Sequence, residues 1–204
     1  APGSPTFEVM DVGAIAGAAH DAGIKVVMDN TWSAGYFFKP FEHGVDVAVQ
    51  AATKYHVGHS DAMLGAVTVL NDDLETVMAS VRQLGYHAAP DDAYLGLRGM
   101  RTMSVRLQRH QTNALKLAEW LAGRPEIARV LHPAMADCPG HEYWKRDFTG
   151  SSGLFGVVNE VEDDVIWLEV AKDIELKILR SAVDRRFNGP APVDESTDEG
   201  PIQD

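Results

Sequence analysis

The chain reads as an α/β fold, on three observations. Short apolar runs rich in β-branched residues recur at 24–28, 45–49 and 64–70, each bounded by polar or glycine positions. Segments with helical periodicity come before and after them. A polar connection, Gln50-Ala51-Ala52-Thr53-Lys54-Tyr55-His56-Val57-Gly58-His59-Ser60-Asp61, follows the second run. Its lysine therefore sits past the carboxyl end of a core strand, where open α/β sheets bind ligands.

Taken in order, Asp11 caps a helix over 12–22 and Gly23 ends it. Ile15, Ala18, Ala19 and Ala22 form its apolar face. Strand 24–28 leads into Asp29 and an aromatic loop over 31–43. Phe37, Phe38 and Phe41 are assigned to the core, and Trp32 is the ring near enough to the site to touch a ligand. Both strands that flank the lysine, 45–49 and 64–70, read as buried. A helix over 72–84 carries Leu74, Val77, Met78 and Val81 at helical spacing, and Pro90-Asp91-Asp92 opens the next. The helix over 104–123 is amphipathic, with Val105, Leu107, Leu115, Ala118 and Leu121 recurring near helical period. Arg101, Arg106 and Arg109 are its solvated or salt-bridged face, with a phosphate contact by one of them as the alternative. Residues 127–131 form a short strand, 141–155 a strand and loop, and 164–183 a mixed, helical-looking stretch. From Phe187 onward there is no Lys or Arg, while Asp194, Glu195, Asp198, Glu199 and Asp204 are acidic. That composition predicts disorder.

A net charge of −12 without a basic patch argues against nucleic acid as a partner. One cysteine, Cys138, cannot close an internal disulfide, which fits a cytoplasmic, reducing setting. No apolar run approaches membrane-spanning length. His56, His59, His87, His132 and His141 lack paired ligand spacing, so no metal site is expected. The turn-rich opening Ala1-Pro2-Gly3-Ser4-Pro5 suits the middle of a longer protein.

Lys54 has two readings, a solvated loop lysine or an amine that forms a Schiff base with a carbonyl cofactor. Thr53 beside it can hold a phosphate oxygen, and Gly58 permits a tight turn. Asp29, at the same sheet edge, can pair with a protonated pyridine nitrogen.

Asp29-Asn30-Thr31-Trp32, then Thr53-Lys54-Tyr55 and Val57-Gly58-His59-Ser60-Asp61-Ala62-Met63, resemble the pyridoxal phosphate (PLP)-dependent enzymes of cysteine and methionine metabolism. Leu97-Arg98-Gly99-Met100-Arg101-Thr102 is similar to the segment that leads into that family's smaller domain. The stretch 141–155 resembles its cystathionine β-lyase branch in particular. The resemblance implies a fold-type I PLP-dependent transferase, like aspartate aminotransferase. It divides the chain into an incomplete large domain over 1–100, the start of a small α/β domain over 101–158, and an atypical acidic tail over 159–204. It implies Lys54 as the catalytic Schiff-base lysine and Lys54, Asp29 and Thr53 as PLP-binding residues. The freed Lys54 amine would act as general base, its pKa lowered by desolvation and nearby positive charge. Cystathionine or cysteine would be the substrate, and a homotetramer the assembly.

Ala51 departs from the family's usual serine and removes one phosphate contact. The family's phosphate loop, ring-stacking tyrosine and partner-donated Tyr/Arg pair belong before Ala1. Its substrate-carboxylate arginine belongs after Val158, where the motifs stop. The expectation is a partial chain, weakly active or inactive alone. A γ-acting relative and a non-catalytic fragment are the competing readings.

Overall fold

The computed structural model describes residues 2–161, 165–171 and 174–179. Helix α1 spans Val12–Asp21, and the Asp11 side chain accepts a hydrogen bond from the Ala14 amide at 3.1 Å, as its cap position requires. Strand β1, Val27–Asp29, pairs in parallel with β2, Val47–Ala51, in the register Asp29↔Val49. Strand β3, Gly65–Val69, runs antiparallel to β2. Helices α2 (Asn71–Gln83), α3 (Pro90–Met100) and α4 (Met103–Ala122) follow. Strand β4, Arg129–Leu131, and helix α5, His141–Asp147, precede β5 (Gly156–Val161), β6 (Val165–Ala171) and β7 (Ile174–Leu179). Strands β4 to β7 form a second sheet in sequence order, all antiparallel.

The core is built by residues far apart in the chain. Val9 and Val12 pack with Met28, Trp32, Phe38 and Val45, and Phe148 closes the cluster from beyond α5. Burying each of these side chains contributes roughly 1.5–3 kcal/mol. Phe38 stacks on Phe148 with ring centroids 4.6 Å apart. Trp32 is only 5% exposed, and its indole N–H donates to the Leu154 carbonyl at 2.8 Å. It is a core residue, not the ligand contact expected of it, because its single polar atom is already spent on the backbone. Phe37 and Phe38 are buried as expected, and Phe41 is half-buried.

Several other expectations are corrected. On α1 the buried residues are Val12 and Ala16, while Ile15 is 48% exposed. A Cβ built on Gly44 would stand 2.9 Å from the Ala16 Cβ. The close approach selects a small side chain, a criterion that apolar periodicity does not weigh. Of the two strands expected to be buried, β2 alternates buried and half-buried residues and β3 has no buried residue; in β1 only Met28 is buried. Residues 141–147 are helical, not extended. Glu142 in the first turn and Lys145 and Arg146 in the last turn complement the helix dipole. The helical reading of 164–183 fails over β6 and β7, whose period-2 alternation (Ile174, Leu176, Ile178) pairs across the sheet. The predicted disorder from Phe187 onward lies outside the described residues.

His132 is fully buried between the edges of Trp32 and Phe155. Its Nδ1 accepts from the Ala134 amide at 3.1 Å, and Nε2 has no partner among the described residues. Burial pushes its pKa down to about 4, against about 6.5 in an unfolded chain. Between those values the unfolded state binds the extra proton. Stability is therefore complete above about pH 6.5 and falls as the pH drops towards 4, by up to roughly 3 kcal/mol. Urea midpoints for wild type and His132→Gln at pH 7 and pH 4.5 should show a shallower loss in the variant. Equal slopes would mean that His132 does not carry the effect.

Candidate active site

The parallel ladder of β1 and β2 brings two sequence-predicted residues to one edge. Asp29 ends β1, and its Oδ1 accepts from the Thr31 amide at 2.8 Å. Thr31 Oγ1 in turn accepts from the Ala51 amide at 2.7 Å, tying the carboxyl ends of β1 and β2 together. Past that point the chain enters a π-helical turn, Thr53–Val57. The Val57 amide donates to the Ala52 carbonyl at 2.9 Å and the Gly58 amide to the Lys54 carbonyl at 2.7 Å. Gly58 leaves the turn with φ +78°, a left-handed conformation that glycine adopts without strain. A π turn is rare and concentrates at functional sites.

Lys54 is exposed and lines an open cleft of about 710 Å³, together with Thr53, Tyr55, Asp61, Arg106 and His110. Asp29 does not line this cleft, although it stands at the same end of the sheet. The desolvation expected around Lys54 is not supplied by the described residues. Thr53 Oγ1 accepts from the Leu64 amide at 2.8 Å, and its hydroxyl points to the Leu64 carbonyl at 3.3 Å. The first bond can persist while the longer, second one is redirected to a ligand oxygen.

The turn is braced from three sides. Helix α3 presents Gly96 and Gly99, and a Cβ on Gly99 would fall 2.0 Å from the His56 carbonyl oxygen. The Tyr55 ring is buried, and its hydroxyl accepts from the Gly153 amide at 3.2 Å. Burial pushes the phenol pKa up, so it remains protonated. Arg106 reaches in from α4 and donates to the Tyr55 carbonyl at 2.8 Å. This corrects the solvated or salt-bridged face assigned to Arg106. Burial first, and then the Arg106 charge, hold His56 below the usual imidazole range. Tyr55 and Gly99 stood in the sequence motifs, and Arg106 among the candidate phosphate contacts, but the bracing role of all three was not legible, because they meet the turn through tertiary packing. Among the described residues no three His, Cys, Asp or Glu side chains are placed to hold a metal, and no helix is long and apolar enough to cross a membrane.

A family model described as "Cys/Met metabolism PLP-dependent enzyme" matches residues 1–179, past Val158 where the recognisable motifs end. The cystathionine beta-lyase MetC of Escherichia coli (strain K12) is 50% identical over 159 residues, covering 77% of this chain and 40% of that protein. The cystathionine beta-lyase of Salmonella typhimurium is 46% identical, again over 77% of this chain and 40% of the relative. Among solved structures, a cystathionine gamma synthase from Xanthomonas oryzae pv. oryzae in complex with aminoacrylate and cysteine aligns with TM-score 0.75 and 33% identity. That alignment covers 79% of this chain and 42% of that one. The chain thus spans about 40% of the length of the curated relatives it matches.

Proposed function

Since the chain belongs to the Cys/Met metabolism PLP-dependent enzyme family, we propose that it carries the lysine portion of the active site of a C–S β-lyase. The reaction is cleavage of L-cystathionine with water to homocysteine, pyruvate and ammonia. The observation that carries this reading is Lys54, exposed in a cleft at the carboxyl end of a strand whose parallel neighbour ends on Asp29. By donor type the residues suit PLP: a primary amine for its aldehyde and a hydroxyl for a phosphate oxygen in the cleft, and a carboxylate for a pyridinium nitrogen at the same end of the sheet, outside the cleft lining. When bound, PLP supplies a sink for the electrons of the substrate Cα–H bond. Lys54 Nζ would be the nucleophile for the aldehyde and, as a free amine, would take the Cα proton. Asp29 would hold the ring nitrogen through Oδ2, since Oδ1 is committed to the Thr31 amide. Thr53 would offer the phosphate the hydroxyl that here points to the Leu64 carbonyl.

The β reading is supported by 50% and 46% identity to cystathionine beta-lyases, against 33% to the γ-synthase structure. Product analysis decides between them. Cystathionine incubated with the purified chain and PLP should yield pyruvate, at a low rate because Lys54 is exposed among the described residues. A yield of 2-oxobutyrate would move the assignment to a γ-acting relative. No 2-oxo acid at all would make the chain a non-catalytic fragment. A cytoplasmic homotetramer belongs to the same proposal, and sedimentation of the purified chain tests the assembly.

A further inference from the structure

Arg106 has an environment unlike that of a surface arginine. Among the described residues its guanidinium makes no ion pair with a carboxylate. Instead Nη2 donates to the carbonyl oxygens of Tyr55 and Gly99, each at 2.8 Å, and Nε donates to Thr102 Oγ1 at 3.1 Å. Nη1 is buried and has no acceptor among the described residues. It lies over the open face of Gly58, where a Cβ would come within 2.2 Å of it. Withdrawing a cation from water onto neutral carbonyls is unfavourable unless the bonds fix something. Here they join the Lys54 turn, the end of α3 and the start of α4 at one point.

The turn needs such a brace. Backbone bonds from Val57 to Ala52 and from Gly58 to Lys54 flank it, in a helix type that is rare and occurs mostly as single turns. Relaxation towards an α turn would redirect the Lys54 side chain. We propose that Arg106 is a positioning residue for Lys54, locking the π turn so that the amine faces the cleft and captures PLP. The capture part rests on the reading of Lys54 given above, whereas the locking part stands on the hydrogen bonds alone.

Two readouts separate these parts. The first is amide hydrogen exchange without PLP, and the second is borohydride trapping of PLP on Lys54, mapped by mass spectrometry. In Arg106→Gln, exchange at Val57 and Gly58 should rise about tenfold, with α1 unchanged, and trapping should fall to about a tenth. Arg106→Lys should recover part of both, because one ammonium can donate to the two carbonyls but supplies no second nitrogen for Thr102 Oγ1. Unchanged exchange, or faster exchange spread evenly over the chain, would overturn the proposal. So would faster local exchange with undiminished trapping. Absence of trapping in wild type would overturn the reading of Lys54, and with it the capture part, while the exchange data still judge the lock. If Arg106→Gln fails to fold, Thr102→Val removes the Nε acceptor and, with it, the longer bond from the Thr102 hydroxyl to the Gly99 carbonyl at 3.3 Å, while leaving both Nη2 bonds in place. About threefold faster exchange at Val57 and Gly58 supports the lock in that variant, and no change sinks it.

Discussion

Lys54→Ala is expected to lower borohydride-trapped PLP on residues 50–61 by at least about a hundredfold, because no other group there can form the bond. Any pyruvate produced from cystathionine should fall by about a thousandfold or more, since the same amine captures the cofactor and moves the Cα proton. Lys54→Arg should fail as completely. A guanidinium keeps its proton and is no nucleophile near neutral pH. Exposure of Lys54 means that neither substitution removes buried contacts, so the urea midpoint should stay near that of wild type. Retained label at another lysine in Lys54→Ala would show that the cleft is not where the chain holds PLP.

Gly99→Ala is expected to destabilise the fold by about 3 kcal/mol. Alanine normally favours a helix interior over glycine by about 1 kcal/mol. At Gly99 that gain is overwhelmed. The new methyl would meet the carbonyl oxygens of His56 and Val57 at 2.0 and 2.4 Å, and both are backbone atoms that cannot swing aside. Gly17 in α1 has no neighbour within 4 Å at the same position, so Gly17→Ala should stabilise by up to about 1 kcal/mol. Opposite signs in paired urea titrations would confirm the steric argument. A neutral or stabilising Gly99→Ala would mean that α3 does not lie against the Lys54 turn.

The legible parts of this fold were those whose cause is local. Asp11 as a helix cap, Gly23 after α1 (φ +71°) and the Pro90 helix start each follow from one or two residues. The placing of Asp29 and Lys54 at one sheet edge followed from two short runs and their order. The illegible parts depend on partners distant in the chain. Arg106 looks like any helix-surface cation until the Tyr55 carbonyl, 51 residues away, is brought to it. Strands β6 and β7 resemble an ambiguous apolar stretch until they pair. The exposure of Ile15 and Val27 could not be read from hydrophobicity, which records what a side chain favours and not what lies opposite it.

The closure of the first core cluster by Phe148, and the Trp32–Leu154 hydrogen bond across 122 residues, bear on synthesis at the ribosome. Helix α1 and the aromatic loop emerge before the ring and the carbonyl that seal them. While the intervening residues are translated, at about 5–20 residues per second, the nascent chain exposes Val12, Trp32 and Phe38 for roughly ten seconds. Nascent-chain proteolysis should therefore find α1 and the aromatic loop protected only after Leu154 has cleared the exit tunnel. Chaperone demand in this molecule is set by how late its aromatic seal arrives.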